Sequence, residues 1–486
     1  MSRNYWLLSS LCLLELAVFQ QQLKAQVIPT ADTTGTTVDI KNNQFDISGG
    51  TRVGDNLFHR FDALNLSTDQ IANFLGDPSI QLILSQISGG DASYIDGLLQ
   101  VSGSGADLYL LNPAGILFGP NSRLDISGSF TAATADRLLF NGGDLDVLGT
   151  TDYAHLVEAP HSLIFSSGNP GSIVNQGQLS VSTGQSLRLA GGHVLNTGTL
   201  TAPGGEITIA AVPGESQIRI SQANQLISLD LAAAPKANTP HQPATENRLT
   251  PATLPELLTG GEPSGATQLV TQADGAIALT SDDIQALEGV AIASGQLDTT
   301  GETGGQINLL GQQVGILNAD IDASGNQGGG TIRIGGDAGG QGTVPTATAT
   351  VVDDQSIIQA NARDTGNGGQ ITVWADHTAR FSGTASAQGG TTSGNGGRIE
   401  TSGREYLDAT NSSINASAPD GDAGLWLLDP TDVEIVNGAT GTTISGLFDP
   451  ATTGTTSQIS PDAITAVLDT GTSVEIKTTS GAGGSG

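Results

Sequence analysis

The nearest candidates for acid–base chemistry in this chain are two pairs of adjacent aspartates, Asp282–Asp283 and Asp353–Asp354. Cleavage of a glycosidic bond needs two carboxyl groups that flank the same bond, whereas adjacent residues of a strand point to opposite faces. Neither pair is joined by an Asn-Thr-Asp or a His-Gly phrase. We interpret both pairs as solvated turn acids and predict no catalytic residues. A polysaccharide-cleaving enzyme is kept as the alternative.

Metal and cofactor chemistry is not indicated either. The chain has these histidines: His59, His155, His161, His193, His241 and His377. None of them has the spacing of a zinc site. Glycine-rich runs such as Gly366–Gly369 lack the Lys-Ser/Thr ending of a phosphate loop. The run Gly335–Gly340 has the residue types of a calcium-binding repeat, but the nine-residue register does not recur. We predict no cofactor and no metal site.

The charge balance excludes one class of partner. Lys and Arg number 17 against 48 Asp and Glu, which gives a net charge of -31. A field of that sign repels phosphate backbones. We therefore predict that the protein does not bind nucleic acid.

The N-terminus has the pattern of a secretory signal peptide. Arg3 is followed by an apolar stretch, Tyr5–Phe19, and then by Leu23-Lys24-Ala25 as a cleavage site. We predict a signal peptide over residues 1–25. The only cysteine, Cys12, lies within it, so a mature chain would contain no disulfide and must be stabilised by its core and backbone hydrogen bonds.

Short strands and turns dominate the rest of the chain, although the spacing of Thr68–Leu75 predicts two turns of helix. One phrase, Asn175-x-Gly177-x-Leu179, returns 21 residues later at Asn196. The phrase Gly-Gly-x-Ile recurs at 204–207, 304–307, 329–332, 368–371 and 396–399. A third phrase recurs at Ile321-Asp322-Ala323, Ile358-Gln359-Ala360 and Ile414-Asn415-Ala416. Repeats of this length, built from strands, are typical of a solenoid. We predict a parallel β-helix of about 20 coils, on the order of 90 Å long at the coil spacing of about 4.8 Å.

Composition divides this rod. Between residues 232 and 264 prolines occur amid Thr, Ala and Glu, and proline cannot supply ladder donors. We predict a secretion domain over 26–150, further coils over 151–231, a Pro/Thr-rich linker over 232–264 and Gly-rich coils over 265–486. The glycine-rich ending offers no cap for the last coil, so we expect a truncated frame or the first part of a longer exoprotein.

Four blocks in the first third resemble a known family. They are Gly54–Phe61, Ser88–Leu99, Asp107–Asn121 and Leu124–Asp136. In this order they resemble the secretion domain of filamentous-haemagglutinin-type exoproteins exported by two-partner secretion, especially cyanobacterial ones. The third block is similar to the family's Asn-Pro-Asn-Gly-Ile hallmark, except that Ala114 stands in place of the second Asn.

The resemblance implies an all-β, right-handed parallel β-helix with an N-terminal capped secretion domain, and we place the cap at Ile40–Phe61. It also implies that Asn112, Pro113, Gly115 and Ile116 form the secretion motif. Pro113 fixes φ in a turn in which Gly115 takes positive φ. By this resemblance the motif both shapes the domain and bears on recognition by the transporter.

The implied partner is an outer-membrane β-barrel transporter with periplasmic modules, which the chain meets on its way to the outside of a Gram-negative-type bacterium. The implied function is that of a secreted or surface adhesin, haemagglutinin-like or matrix protein. Its surface receptor or polysaccharide cannot be predicted from the sequence. Besides the enzyme, the other alternative is the N-terminal part of a toxin-delivery exoprotein.

Overall fold

The structure is a computed structural model. It describes residues 27–220, 228–230, 268–271, 277–280, 289–437, 447–448 and 456–478. The predicted signal peptide, the linker at 232–264 and the last eight residues lie outside the described residues. The boundaries of the predicted domains remain predictions. Among the described residues, no helix is long and apolar enough to cross a membrane.

Three long sheets, here called A, B and C, wind around one core. Sheet A consists in order of Val27–Pro29, Asn56–Leu64, Leu82–Ile87, Asp107–Leu111, Phe130–Ala133, Ser186–Gly191, Glu206–Ala211, Gln306–Leu310, Thr331–Ile334, Gln370–Ala375, Arg398–Gly403, Leu425–Leu428 and Ser473–Ile476, with Thr51–Val53 paired to the second of these.

Sheet B consists in order of Thr36–Lys41, Gln44–Gly49, Ile71–Leu75, Leu98–Ser102, Arg123–Asp125, Gln178–Ser180, Thr199–Thr201, Gln296–Asp298, Asp320–Asp322, Ile357–Gln359, Thr384–Ser386 and Ser413–Asn415. Sheet C consists of Ser93–Ile95, Ile116–Phe118, Ile173–Asn175, Val194–Asn196, Val290–Ala293, Gln313–Ile316, Ala349–Val352, Thr378–Phe381, Tyr406–Asp408, Ser457–Ile459 and Val433–Ile435.

Each coil visits the three sheets in the order A, C, B. The chain runs from Asp107–Leu111 in sheet A through Ile116–Phe118 in sheet C and Arg123–Asp125 in sheet B, and then returns to sheet A at Phe130–Ala133. Neighbouring coils pair in parallel. The predicted all-β, right-handed parallel β-helix is confirmed.

The predicted number of coils is wrong for the described residues. Sheet A contains twelve successive parallel strands, from Asn56–Leu64 to Ser473–Ile476. Their eleven intervals of about 4.8 Å give a length of about 50 Å. The difference arises in part because many described residues lie outside the coils, among them the five strands of an extra antiparallel sheet.

The sequence repeats mark equivalent positions of neighbouring coils. Ile207 is paired with Ile307, and the series continues without a break through Ile332, Ile371 and Ile399. All five side chains are fully buried in the core. The Gly-Gly-x-Ile phrase therefore identified one rung position, as predicted.

The first glycine of this phrase is needed for coil contact in every copy except the one at Gly204. A Cβ atom on Gly304 would lie 1.9 Å from the carbonyl oxygen of Ala323, and one on Gly396 would lie 1.9 Å from that of Ala416. Neither distance leaves room for a side chain. The glycines thus allow the backbones of two coils to touch at the corner before sheet A.

Asparagine repeats at the end of the sheet C strands. Asn175 and Asn196 are aligned on adjacent coils, and both are fully buried. The Nδ2 atom of Asn175 donates to Oδ1 of Asn196 at 2.7 Å, while its Oδ1 atom accepts from the backbone N–H of Gly177. The 21-residue spacing of the phrase is therefore the length of one coil, and a hydrogen bond between the two asparagines links neighbouring coils.

The N-terminal end of the rod is capped by antiparallel strands. Thr36–Lys41 pairs with Gln44–Gly49, and Thr51–Val53 pairs with Asn56–Leu64. This agrees with the cap predicted at Ile40–Phe61. The two-turn helix predicted at Thr68–Leu75 is wrong. Residues Ile71–Leu75 form a sheet B strand between two others, because pairing on both sides outweighs a weak local helical spacing.

A fourth sheet, sheet D, covers part of the outer face of sheet A. It is antiparallel and contains Gly143–Asp146, Arg137–Phe140, Ser162–Phe165, Ser216–Arg219 and Ser228–Asp230. Its buried residues Leu138 and Leu163 join Phe58, Leu84 and Tyr109 of sheet A in a second apolar core. Residues 173–211 continue the coils.

The remaining elements are short. A two-stranded sheet pairs Gln268–Thr271 with Ile277–Thr280, and single-turn 3-10 helices occur at Tyr153–His155 and Ala338–Gly340. The α-helix Pro461–Asp469 begins after Ser460, whose hydroxyl accepts the N–H of Asp462.

Candidate secretion site

The predicted secretion motif is a tight turn between sheet A and sheet C. The N–H of Gly115 donates to the carbonyl oxygen of Asn112 at 3.0 Å. The N–H of Ala114 donates to Oδ1 of the same asparagine at 3.0 Å. Gly115 has a φ of 121°, in the region that glycine enters without strain. The turn predicted from Asn112-Pro113-Ala114-Gly115 is present.

The Asn112 side chain also connects this coil to the preceding one. Its Nδ2 atom donates to the carbonyl oxygen of Asp91 at 2.9 Å and to the hydroxyl of Ser93 at 3.0 Å. The N–H of Ser93 donates in turn to the carbonyl oxygen of Gly115. One amide therefore closes its own turn and holds the turn of the coil before it.

The whole motif is buried. Asn112 and Ala114 are 1% exposed, Ile116 is fully buried in the core, and Pro113 and Gly115 are buried too. The following coil covers the turn from the other side. A Cβ atom on Gly171 would lie 2.6 Å from the carbonyl oxygen of Pro113. In the folded rod the motif offers little surface to a partner.

A second contact joins two of the family-like blocks. Asp96 is 6% exposed. Its carboxylate accepts the backbone N–H of Asn121 at 2.9 Å, the Nδ2 atom of Asn121 at 3.1 Å and the hydroxyl of Thr68 at 2.6 Å. The blocks Ser88–Leu99 and Asp107–Asn121 are thus stacked coils held together by their polar residues.

The docking of sheet D was not predicted from the sequence. On the outer face of sheet A, Nδ2 of Asn56 donates to the carbonyl oxygens of Leu156 and Glu158 at 2.8 and 2.7 Å. Nη1 of Arg60 donates to the carbonyl oxygen of Gly149 at 2.7 Å. Both residues lie in the first family-like block. Membership of that block is the only sequence signal that could have identified them as functionally relevant.

One buried histidine lies in the capping coil. His59 packs against Phe61 and Phe74 with ring centroids 6.3 and 5.9 Å apart. Its Nδ1 atom is 3.3 Å from the hydroxyl of Thr36, and its Nε2 atom has no hydrogen-bond partner. Burial lowers the pKa of His59 to about 4. At neutral pH the imidazole is an uncharged core group.

The aspartates and the histidine that the sequence offered for acid–base or metal chemistry do not form a common site. The carboxylate of Asp353 accepts the N–H of Asn318 and the hydroxyl of Ser356, as expected of a turn acid. Asp282 and Asp283 lie outside the described residues. His377 forms an exposed pair with Glu405, with the Nδ1 and Oε2 atoms 2.7 Å apart. In the described part of the chain no three His, Cys, Asp or Glu side chains are grouped to hold a metal ion.

Comparison with known proteins agrees with these features. The family model "TPS secretion domain" matches residues 25–240, a range that extends beyond the predicted boundary at residue 150. No curated protein matches the chain.

Two solved structures are similar to the chain. The HMW1 secretion domain from Haemophilus influenzae is 20% identical, with a TM-score of 0.43, over 83% of this chain and 98% of that one. A filamentous hemagglutinin secretion domain is 15% identical, with a TM-score of 0.31, over 89% of this chain and 99% of that one. Residues 25–240, which include the stacked coils around the Asn112 turn, therefore match a secretion domain of the two-partner-secretion type.

Proposed function

We propose that the chain is exported through an outer-membrane transporter with periplasmic modules and then acts outside the cell as an adhesin or matrix protein, not as an enzyme. A TPS secretion domain implies a two-partner transporter, and the match supports the export step. We further propose that the motif at Asn112 is recognised by the transporter and that the rod binds a receptor or polysaccharide.

The burial of the motif determines how it can act. Because Asn112 and Ile116 lie inside the folded rod, a transporter can contact them only before the coils close. We propose that the motif is read in the unfolded chain and then nucleates the first coils. Coils that form one by one outside the membrane would oppose backsliding, since each buries its apolar face against the last.

The proposed binding role rests on sheet B. Its outward side chains are hydroxyls, amides and carboxylates that remain exposed or half-exposed along the rod, among them Gln178, Ser180, Gln296, Asp320 and Thr384. Parallel sheets are usually covered on both faces. An uncovered polar face therefore supports a surface that contacts a receptor or polysaccharide rather than another layer of the same protein.

Export is the first experiment. The full chain is expressed with and without a cognate two-partner transporter, and the medium is assayed for wild type and for Asn112→Ala/Ile116→Ala. The matched control is Asn361→Ala/Ile358→Ala, which removes a hydrogen-bonding asparagine and a buried isoleucine from a coil outside the matched domain.

We expect wild type and the control in the medium only when the transporter is present, and the motif variant in the periplasm. Equal loss of both variants would show that export needs a stable rod and not this motif. Retention of wild type despite the transporter would contradict the export proposal.

A further inference from the structure

A glycine-rich loop folds over the outer face of sheet A near the middle of the second half. It runs from Gly335 to Thr346, and the N–H of Ala347 donates to the carbonyl oxygen of Gly335 at 2.7 Å, which closes its base. At its tip the N–H of Gly339 donates to Oε1 of Glu400 at 2.9 Å. We call residues 335–346 the lid.

The lid covers an indole that points away from the core. Trp374 is 3% exposed. Gly340 has a φ of +62°, and a Cβ atom on it would lie 2.5 Å from Cε2 and Cζ2 of the indole. The lid thus touches the ring with bare backbone. Any side chain at this position would push the lid off the indole.

A buried carboxylate lies on the next strand. Glu400 pairs with Thr372 and Trp374 pairs with Ser402, so the two outward side chains are diagonal neighbours on adjacent coils. Glu400 is 1% exposed, and its Oε2 atom has no hydrogen-bond partner. Burying an acceptor that is left unpaired is costly, and native proteins rarely do so without a reason.

Two arginines border these groups. Nη2 of Arg398 lies 3.7 Å from Oε2 of Glu400, beyond hydrogen-bond distance, and the Arg398 side chain is 41% exposed. The guanidinium carbon of Arg404 lies 5.9 Å from the centre of the Trp374 ring. Its Nη2 atom is held by Asp376 at 2.9 Å. Donors therefore stand beside an aromatic face and a carboxylate oxygen that has an ion-pair partner but accepts no hydrogen bond.

We propose that Trp374, Glu400 and Arg398 form a binding site for a neutral sugar ring, which is closed by the lid until the ligand displaces it. The C–H face of a sugar ring can pack on the indole. One hydroxyl can donate to Oε2 of Glu400, which accepts no hydrogen bond in the closed state, while Arg398 donates to a second. A ligand site usually combines an aromatic surface with a small number of polar groups that converge beside it.

The lid is suited to opening. Glycines 335, 336, 339, 340 and 342 all have positive φ. Of the lid's side chains only Val344 joins an apolar core, so little buried apolar surface opposes opening. This inference gives a ligand class to the rod and rests on the proposed binding role. It needs no transporter, so its test is read separately from the export assay.

The test measures binding of cellohexaose, maltohexaose and chitohexaose to the purified full chain by isothermal titration calorimetry. Wild type should bind at least one of them. Glu400→Gln and Trp374→Ala should each weaken that binding at least tenfold. Gly340→Ala should tighten it, because the displaced lid no longer competes with the ligand.

Gly184→Ala is the matched control for Gly340→Ala. Gly184 also has positive φ, at +78°, but no atom lies within 4 Å of its built Cβ, so this variant should bind like wild type. Thermal unfolding of every variant verifies that the rod remains folded. Absence of binding to all three probes by both wild type and Gly340→Ala would overturn the proposal, as would equal binding by Trp374→Ala and wild type.

Discussion

The side-chain amide of Asn112 donates a 3.0 Å hydrogen bond to the hydroxyl of Ser93, one coil earlier in the rod. The same side chain caps its own turn. Asn112, which we propose as part of the secretion motif, therefore holds two coils together, and its replacement should first lower the stability of the rod.

We predict that Asn112→Ala lowers the free energy of unfolding by about 1–3 kcal/mol, because the buried N–H of Ala114 and the carbonyl of Asp91 lose this hydrogen-bond partner. Urea unfolding of the purified chain measures the change. Ser93→Ala removes only one of the acceptors and should cost less. Equal stability of Asn112→Ala and wild type would show that the turn is not stabilised by this side chain.

The docking of sheet D depends on two residues of the first family-like block. We predict that Asn56→Ala increases hydrogen exchange of backbone amides in residues 137–165, since Leu156 and Glu158 lose the donor that holds them. Hydrogen exchange with mass spectrometry measures this.

Arg52→Met is the control for this experiment. It removes an exposed ion pair with Asp77, whose Nη1 and Oδ2 atoms are 2.8 Å apart, and exposed pairs contribute about 0–1 kcal/mol. Unchanged exchange in Asn56→Ala would mean that the apolar contacts alone hold sheet D in place.

The corner glycines should tolerate no side chain. In Gly396→Ala the new methyl group would lie 1.9 Å from the carbonyl oxygen of Ala416, so two coils must separate. We expect a loss of about 1–3 kcal/mol in unfolding free energy, as for other overpacked sites. Gly105→Ala is the control, since no atom lies within 4 Å of its built Cβ. If both variants unfold alike, the corner contact is unimportant.

Acid should destabilise the cap through His59. Burial lowers its pKa to about 4 in the folded protein, against 6.5 for an unperturbed histidine. Below pH 6.5 the unfolded chain binds a proton that the folded chain does not, so the stability contributed by the neutral imidazole is lost as pH falls towards 4. The full loss is about 3 kcal/mol.

Comparison with His59→Gln isolates this contribution. The difference in unfolding free energy between wild type and His59→Gln should shrink between pH 6.5 and 4 and stay constant above pH 7. A difference that does not vary with pH would show that the histidine titrates normally. Urea unfolding at each pH provides the measurement.

Some of this structure could be predicted from residue order because a solenoid is built from local repeats. Ile207 and Ile307 are far apart in sequence, yet both follow Gly-Gly, and a rung position imposes the same requirement in each coil. The turn at Asn112 was predictable from local residues too, since Pro113 fixes its own φ and Gly115 can adopt positive φ.

Other features required the tertiary structure. The spacing of Thr68–Leu75 indicates a helix, but pairing with a strand on each side makes Ile71–Leu75 a strand. The Pro113-Ala114-Gly115 backbone is covered by Gly171, which belongs to a later coil. Sheet D docks through Asn56 and Arg60 onto carbonyl oxygens about a hundred residues away.

Sequence alone therefore determined the class of fold, a β-helix. The repeat length, the corner glycines and the asparagines aligned on adjacent coils are all properties of single coils. The tertiary structure decided which groups are enclosed, because burial depends on what lies across from a residue. The enclosed His59, the unpaired oxygen of Glu400 and the covered Trp374 arise from contacts between distant segments, which no local pattern encodes.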